Sequence, residues 1–447
     1  RDTDRSRGLG DVYKRQAAES AGKAGLSVLL IEKNNLGGVC LNEGCIPTKT
    51  LLYSAKTYDS AKHASKYAIN VSEVSFDLSK IIVRKSKVVR KLVLGVKAKL
   101  ASNNVAIVSG EAQIIDKNTV RCGEETYEGE NLILCTGSET FIPPIPGVET
   151  VNYWTHRDAL DNKELPASLA IVGGGVIGME FASFFNSLGV QVTVVEMLDE
   201  ILGGMDKELS ALLRAEYAKR GIKFLLSTKV VGLSQTEGGA VVSYENAEGS
   251  GNVVAEKLLM SVGRRPVTKG FGLENLNLEK TERGAVKVDE KMQTSVPGVY
   301  VCGDLTGFSL LAHTAVREAE VAVHSILGKE DTMSYRAIPG VVYTNPEIAG
   351  VGETEESASA KGITCQVIKL PMAYSGRFVA ENEGVNGVCK VLLDEQERVI
   401  GAHVLGNPAS EIITLAGTAI ELGLTAAQWK KIVFPHPTVG EIFREAL

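Results

Sequence analysis

The sequence predicts an α/β protein with two βαβ domains of doubly wound type and a C-terminal α+β domain. Three observations predict it. First, Leu169-Ala170-Ile171-Val172 runs into Gly173-Gly174-Gly175-Val176-Ile177-Gly178, then a helix (Met179 to Leu188), then a second apolar strand (Val190 to Val195) closed by Glu196. Second, the later half of that unit recurs near the start, where a helical stretch from Ala17 leads into Leu26-Ser27-Val28-Leu29-Leu30-Ile31-Glu32. Third, from Tyr335 the pattern changes to alternating strands with polar turns, then helices at Ser410 to Leu422 and Thr425 to Lys431.

The length of 447 residues suits about three domains at ~150 residues each. Composition is ordinary for a globular chain, with 44% hydrophobic and 23% charged residues. A net charge of −6 gives no reason to expect nucleic acid or an anionic membrane as a partner. No apolar run approaches the ~18 residues of a membrane span. Seven cysteines, an odd number, do not make a disulfide scaffold, so a reducing cytoplasm is expected.

Residues 1–16 are dense in Arg, Asp, Lys and Gly, with no apolar period and no secretory segment. Glu196 stands 18 residues after Gly178; the same count back from Glu32 falls on Lys14, and the other two glycine positions become Leu9 and Asp11. Gly8 and Gly10 are one residue out of register. The first unit therefore keeps its second half and lacks its first strand and phosphate loop. Residues 1–16 read as foreign sequence; a degenerate native loop is the alternative.

Gly37 to Lys49 carries the most chemistry. Cys40 and Cys45 stand in a glycine-flanked turn, and Pro47 suits the first turn of a helix running to Lys62. Cys45 then lies at a helix N-terminus, where the dipole and free N–H groups favour a thiolate. Lys49, four residues on, shares its face. A redox pair is favoured over half a metal site or two buried thiols, because no second cysteine pair is present. No metal is expected.

The Gly173 to Glu196 stretch is a dinucleotide fingerprint in full context. Gly173 makes the turn, Gly175 admits the pyrophosphate and Gly178 lets helix pack on strand. Glu196 falls where an acid accepts a ribose 2′-OH, which favours NAD over NADP. Between the units comes a helix, Leu78 to Leu100, charged on one face and apolar on the other. Asn131 to Ser138 is a strand entering a glycine turn, and Phe141 to Gly147 is a linker with three prolines. A second boundary falls at Gly263-Arg264-Arg265-Pro266. Gly298 to Asp304 is a buried strand ending in Gly303-Asp304, a close backbone approach with an acid for a polyol, or else a common turn. Leu311-Ala312-His313-Thr314 opens the next helix. Near the end, His436 stands between Pro435 and Pro437, and Glu441 is close enough to orient its ring as in a triad. An unrelated turn histidine is the alternative.

Taken together, Gly37 to Lys49, Gly173 to Glu196, Gly303-Asp304 and His436-Pro437-Thr438 with Glu441 resemble the flavoprotein disulfide reductases (pyridine nucleotide-disulfide oxidoreductases), from about Ala17 to the end. Tyr343 to Glu347, the acidic run after Glu196 and the lack of a C-terminal Cys pair resemble the lipoamide-oxidising branch. The resemblance implies two Rossmann-like FAD- and NAD-binding domains and a homodimer. It implies an FAD domain at 1–147, an NAD domain at 148–262, a central segment at 263–333 completing the FAD domain, and an interface domain at 334–447. It also implies that Cys40 exchanges with dihydrolipoamide while Cys45 faces the flavin. Lys49 would pair with Glu180 there, and His436 with Glu441 would serve the partner subunit as base. Glu32, Gly110, Thr136, Gly137, Ser138, Gly303, Asp304, Leu311, Ala312 and His313 would hold FAD. Gly173, Gly175, Gly178 and Glu196 would hold NAD, and Gly263 is a further cofactor-binding candidate. Partners would be the lipoyl domain of a 2-oxo acid dehydrogenase complex or a glycine-cleavage carrier, with no nucleic acid or membrane. The competing readings are a non-catalytic docking subunit without FAD and a glutathione-type reductase.

Overall fold

The computed structural model describes residues 12–447, so most of the expected foreign stretch, residues 1–11, lies outside the described residues. The chain divides into two compact units. One takes the described residues up to Thr50, with Ile82–Phe141 and Gly263–Ser334; the other takes Leu51–Ile81, Ile142–Val262 and Tyr335–Leu447.

In the first unit, helix α1 (Val12–Lys23) begins five residues before the expected Ala17. Its buried Ala17, Ala18 and Ala21 let it lie close against strand β1 (Val28–Glu32) and against the helix Ala312–Ile326. β1 pairs in parallel with β2 (Val105–Ser109), Leu30 opposite Ile107. The strand Leu132–Leu134 pairs in parallel with Val299–Val301. Among the described residues these two parallel pairs do not join, so β1 and Leu132–Leu134 each have one strand neighbour. A cavity of about 1730 Å³ opens along Ser27 to Ile31 and Asn131 to Cys135.

The second unit shows what a joined sheet looks like. Its order is Lys223–Leu225, Gln191–Val195, Ser168–Val172, Lys257–Met260, Tyr153–Trp154, all parallel. The central strand leads into the glycine loop, and its Leu169, Ala170 and Ile171 are fully buried, as a strand covered on both faces requires. The corresponding position in the first unit holds no described strand. An antiparallel meander, Lys229–Thr236, Gly239–Asn246 and Gly249–Ala255, interrupts the second unit before its last parallel strand.

The C-terminal sheet is antiparallel, in the order Gly340–Val342, Ile348–Gly352, Val399–Leu405, Val388–Leu393, Gln366–Pro371, with Ala409–Glu421 packed on it. This is the expected α+β domain. Lys390 is buried in its middle, 3.1 Å from Asp206 Oδ2 and 2.6 Å from Glu355 Oε1. Asp206 also accepts the Leu209 N–H at 2.9 Å and so caps the helix Lys207–Lys219. Burial works against the Lys390 ammonium, but Glu208, Glu355 and Asp206 outweigh it and raise its pKa. Lys390→Met strands the buried Asp206. We expect it to cost about 2–3 kcal/mol, less than a fully enclosed pair because Glu208 and Glu355 reach water, read as a fall of several degrees in Tm.

Candidate active site

The two cysteines form a disulfide with Cα atoms 4.6 Å apart, inside the range of an unforced bridge. The sequence placed both in a turn. Cys40 instead lies in a short helix, α2 (Gly38–Glu43), and Cys45 opens helix α3 (Cys45–Lys62). Gly37, at φ +98°, turns the chain into α2. Gly44 separates the helices, and a Cβ there would come within 3.1 Å of Cys40 Cα. The Gly44 carbonyl accepts from Thr48 N–H at 3.0 Å, so α3 is wound from its first residue. Once the bridge is reduced, a Cys45 thiolate sits on the positive end of the 18-residue α3, whereas Cys40 lies in the first turn of the six-residue α2, a weaker dipole. The remaining cysteines differ. Cys122, Cys135, Cys302 and Cys389 are buried, Cys365 is half-buried, and burial pushes the Cys389 thiol up to about 12.

Several residues assigned to FAD converge in the first unit. The Ser138 hydroxyl donates to Asp304 Oδ2, and Arg264 donates to Ser138 through Nε at 2.8 Å and to its carbonyl at 2.6 Å. Burial raises the Asp304 pKa; Ser138 and Arg264 offset only part of that rise. Thr136 Oγ1 donates to the Val267 carbonyl at 2.9 Å, and Gly137 takes φ +73°. Gly263, at φ +116°, accepts from Phe141 N–H. Gly303 N–H donates at 2.6 Å to Glu318, which is fully buried. Leu311 precedes the helix Ala312–Ile326, so Ala312 and His313 stand at its N-terminus. Glu32 is buried at the end of β1, where it accepts from Asn34 N–H at 3.0 Å, and its carbonyl accepts from Gly110 N–H. Gly110 borders the large cavity, and a Cβ there would strike the Cys122 sulfur. At about 1730 Å³ the cavity exceeds the roughly 300–1,000 Å³ of an ordinary ligand pocket. Of the residues assigned to FAD, Gly110 and Thr136 line this cavity; Asp304, Gly303 and the helix start at Ala312 do not, although a buried acid and a helix N-terminus suit a dinucleotide.

Sequence reasoning missed Arg264 and Glu318 as parts of this network. Arg264 lay in a boundary already noted, and Glu318 is an acid within the apolar stripe Ala315, Ala319 and Ala322. A charge on such a stripe was the available signal.

The glycine loop of the second unit behaves as its spacing implies. A Cβ on Gly173 would collide with the Ser261 carbonyl, and one on Gly178 with the Gly173 carbonyl. A Cβ on Gly175 meets open space at the start of the helix Val176–Ser187, the room a pyrophosphate would need. Glu196 Oε2 accepts from Gly174 N–H at 2.6 Å, and Oε1 accepts from Leu198 N–H at 2.8 Å. The carboxylate thus ties the glycine loop to the turn that follows the strand Gln191–Val195. Glu180, 2% exposed, accepts from Tyr343 N–H at 3.0 Å; Lys49 lies one turn into α3.

His436 Nδ1 lies 3.0 Å from Glu441 Oε1. Thr438 N–H donates to Glu441 Oε2 at 2.7 Å, and that bond first, then His436, holds the Glu441 carboxyl below its usual range. The ionised carboxylate fixes the ring with Nδ1–H toward it, so Nε2 points outward on a side chain 81% exposed. Among the described residues, no cluster of His, Cys, Asp and Glu could hold a metal ion, and no helix is long and apolar enough to cross a membrane.

A disulfide at a helix start, in a chain with a dinucleotide loop and a histidine held by a carboxylate, defines a nucleotide-dependent thiol–disulfide oxidoreductase. The profile described as "Pyridine nucleotide-disulphide oxidoreductase" matches residues 15–319, and that of the same family's dimerisation domain matches 338–447. The chain belongs to the pyridine nucleotide-disulphide oxidoreductase family. It is 38% identical to the dihydrolipoyl dehydrogenase of Geobacillus stearothermophilus over 96% of this chain and 92% of that one. It is 39% identical to that of Thermus scotoductus over 96% and 93%. Among solved structures it is similar to LpdA from Mycobacterium tuberculosis (TM-score 0.90, 26% identity, 98% and 97% of the two chains). It is also similar to the HOCl-induced flavoprotein disulfide reductase RclA from Escherichia coli (TM-score 0.85, 30% identity, 97% of each). Its cofactors are FAD and NAD, and its dimerisation domain makes it a homodimer.

Proposed function

We propose that this chain oxidises protein-bound dihydrolipoamide to lipoamide with NAD as the final acceptor. The observation that carries this is the Cys40–Cys45 disulfide at the head of α3, in a chain whose relatives over 96% of its length are dihydrolipoyl dehydrogenases. That similarity favours a dithiol substrate over glutathione.

His436 Nε2 takes the proton of one substrate thiol, and Glu441 stabilises the imidazolium that results. The substrate thiolate attacks Cys40 Sγ; the Cys40–Cys45 bond breaks, and Cys45 leaves as a thiolate on the α3 dipole. The second substrate thiol then displaces Cys40 from the mixed disulfide, and its proton passes to the departing Cys40 sulfur. Lipoamide departs, and the cysteine pair has gained two electrons. In the homodimer the His436–Glu441 pair serves the other subunit's disulfide. When bound, FAD would supply the two-electron chemistry that links the cysteine pair to NAD. Ser138, Asp304, Gly303, Gly110, Thr136, Gly137, Glu32 and the Leu311 to His313 helix start would hold FAD. Lys49 and Glu180 would set the charge beside its ring. Gly173, Gly175, Gly178 and Glu196 would hold NAD, and Gly263 is a further cofactor-binding candidate. The carrier would be a lipoyl domain of a 2-oxo acid dehydrogenase complex or of the glycine-cleavage system, in the cytoplasm.

Turnover of dihydrolipoamide with NAD, set against glutathione disulfide with NADPH, tests the proposal; activity only with the second pair would overturn it. The loop assignment has its own test. Gly178→Ala forces a methyl against the Gly173 carbonyl, so the KM for NAD should rise about tenfold while the KM for dihydrolipoamide stays put.

A further inference from the structure

Helix α4 (Leu78–Ser102) carries eight Lys and Arg and no carboxylate in 25 residues, within a chain of net charge −6. Its inner side is accounted for: Leu78, Ile82, Val96 and Leu100 are buried. Its outer side is not. Val83, Lys87, Arg90, Leu94 and Lys97 follow one another at spacings of four, three, four and three, which puts them on a single stripe. All five are exposed, Val83 by 52% and Leu94 by 61%. Lys80 pairs with Asp77, and Lys99 reaches Glu19 at 4.0 Å. Among the described residues, Lys87, Arg90, Lys91 and Lys97 face no carboxylate within ion-pair distance.

This pattern opposes helix stability. Lys80 and Arg84, Arg84 and Lys87, Lys87 and Arg90, and Lys87 and Lys91 are like-charge neighbours at i, i+3 or i, i+4. Asp77, just before the helix, relieves Lys80, and α4 itself contains no acid to relieve the others. Folding alone would favour mixed charge here, as a solvated helix face ordinarily has. A second copy of this chain cannot cover the stripe with its own α4, since like would meet like. A lipid surface would need a broad apolar face, and this stripe offers two apolar side chains.

We infer that α4 is the docking face for an acidic protein partner, namely the carrier that brings the dithiol. Carboxylates of the carrier would pair with Lys87, Arg90 and Lys97, with Val83 and Leu94 as apolar anchors between them. This inference rests on the reading that the dithiol arrives on a protein. Charge of this kind raises the rate of encounter more than it deepens the bound state, so its signature is a strong dependence on salt.

The test uses the full FAD-loaded dimer and a lipoylated carrier domain of net negative charge. Carrier binding is measured by calorimetry, and turnover of free dihydrolipoamide is measured separately. In Lys87→Glu/Arg90→Glu/Lys97→Glu, carrier binding should weaken at least tenfold, and kcat and KM for free dihydrolipoamide should be unchanged. The neutral variant Lys87→Gln/Arg90→Gln/Lys97→Gln relieves the repulsion. It should keep or raise Tm and still weaken carrier binding about threefold, separating docking from misfolding. Unchanged carrier binding in either variant would overturn the inference, and so would tighter binding of the parent to phosphatidylserine vesicles than to the carrier. Absent turnover of free dihydrolipoamide would instead refute the functional reading, with the calorimetry still deciding the docking face.

Discussion

Cys45→Ser is expected to lower kcat for dihydrolipoamide oxidation by at least about 10³-fold. The exchange of sulfur for oxygen removes little volume, so α3 should keep its start and the dimer its Tm. What disappears is the leaving group. A serine cannot form the bridge to Cys40, and without the bridge the substrate thiolate has no bond to break. Cys40→Ser should be equally inactive, since it removes the atom attacked. A thiol count separates this from collapse: the parent should gain two titratable thiols on mild reduction under native conditions, and each single variant none. The four buried cysteines stay hidden in all three proteins. Appreciable turnover in Cys45→Ser would remove the disulfide from the reaction.

His436→Ala should cost about 10²- to 10⁴-fold in kcat/KM with the Cys40–Cys45 bridge still formed and reducible. The side chain is 81% exposed, so the loss should come with little change in Tm. Glu441→Gln leaves the histidine but removes the charge that stabilises its protonated form, and should cost less than His436→Ala. The pH dependence of Glu441 follows from its lowered pKa. A carboxyl with a folded pKa below its usual value adds stability above that usual value and loses it as pH falls through the lowered one. Any Tm difference between parent and Glu441→Gln should therefore be full near neutrality and fade in acid below the ordinary glutamate value of 4.5. A difference that grew in acid would contradict the assigned contact.

The parts of the site that were legible are those whose chemistry is local. Gly173 to Glu196 could be read because a turn, a backbone approach and a helix contact each demand glycine at fixed spacing. Cys40 and Cys45 could be read because a proline set the helix start beside them, although the short helix around Cys40 was not foreseen. His436 and Glu441 stand five residues apart, within reach of one turn. The network of Ser138, Asp304 and Arg264 joins residues separated by 166 and 126 positions, and no local pattern announces it. The same is true of Lys390 and Asp206, separated by 184. Hydrophobic periodicity marks which face is buried but is blind to which distant charge will meet it.

By itself the sequence pointed to an order of domains, a cysteine pair, a nucleotide loop and a histidine with its carboxylate. In each case the residues that do the chemistry are neighbours along the chain. Tertiary structure alone decided which polar groups survive burial, that the two parallel pairs of the first unit stand apart among the described residues, and that Lys87, Arg90 and Lys97 of α4 face solvent. Those outcomes depend on which surfaces meet in space, and burial free energy selects such meetings between segments that are far apart in sequence.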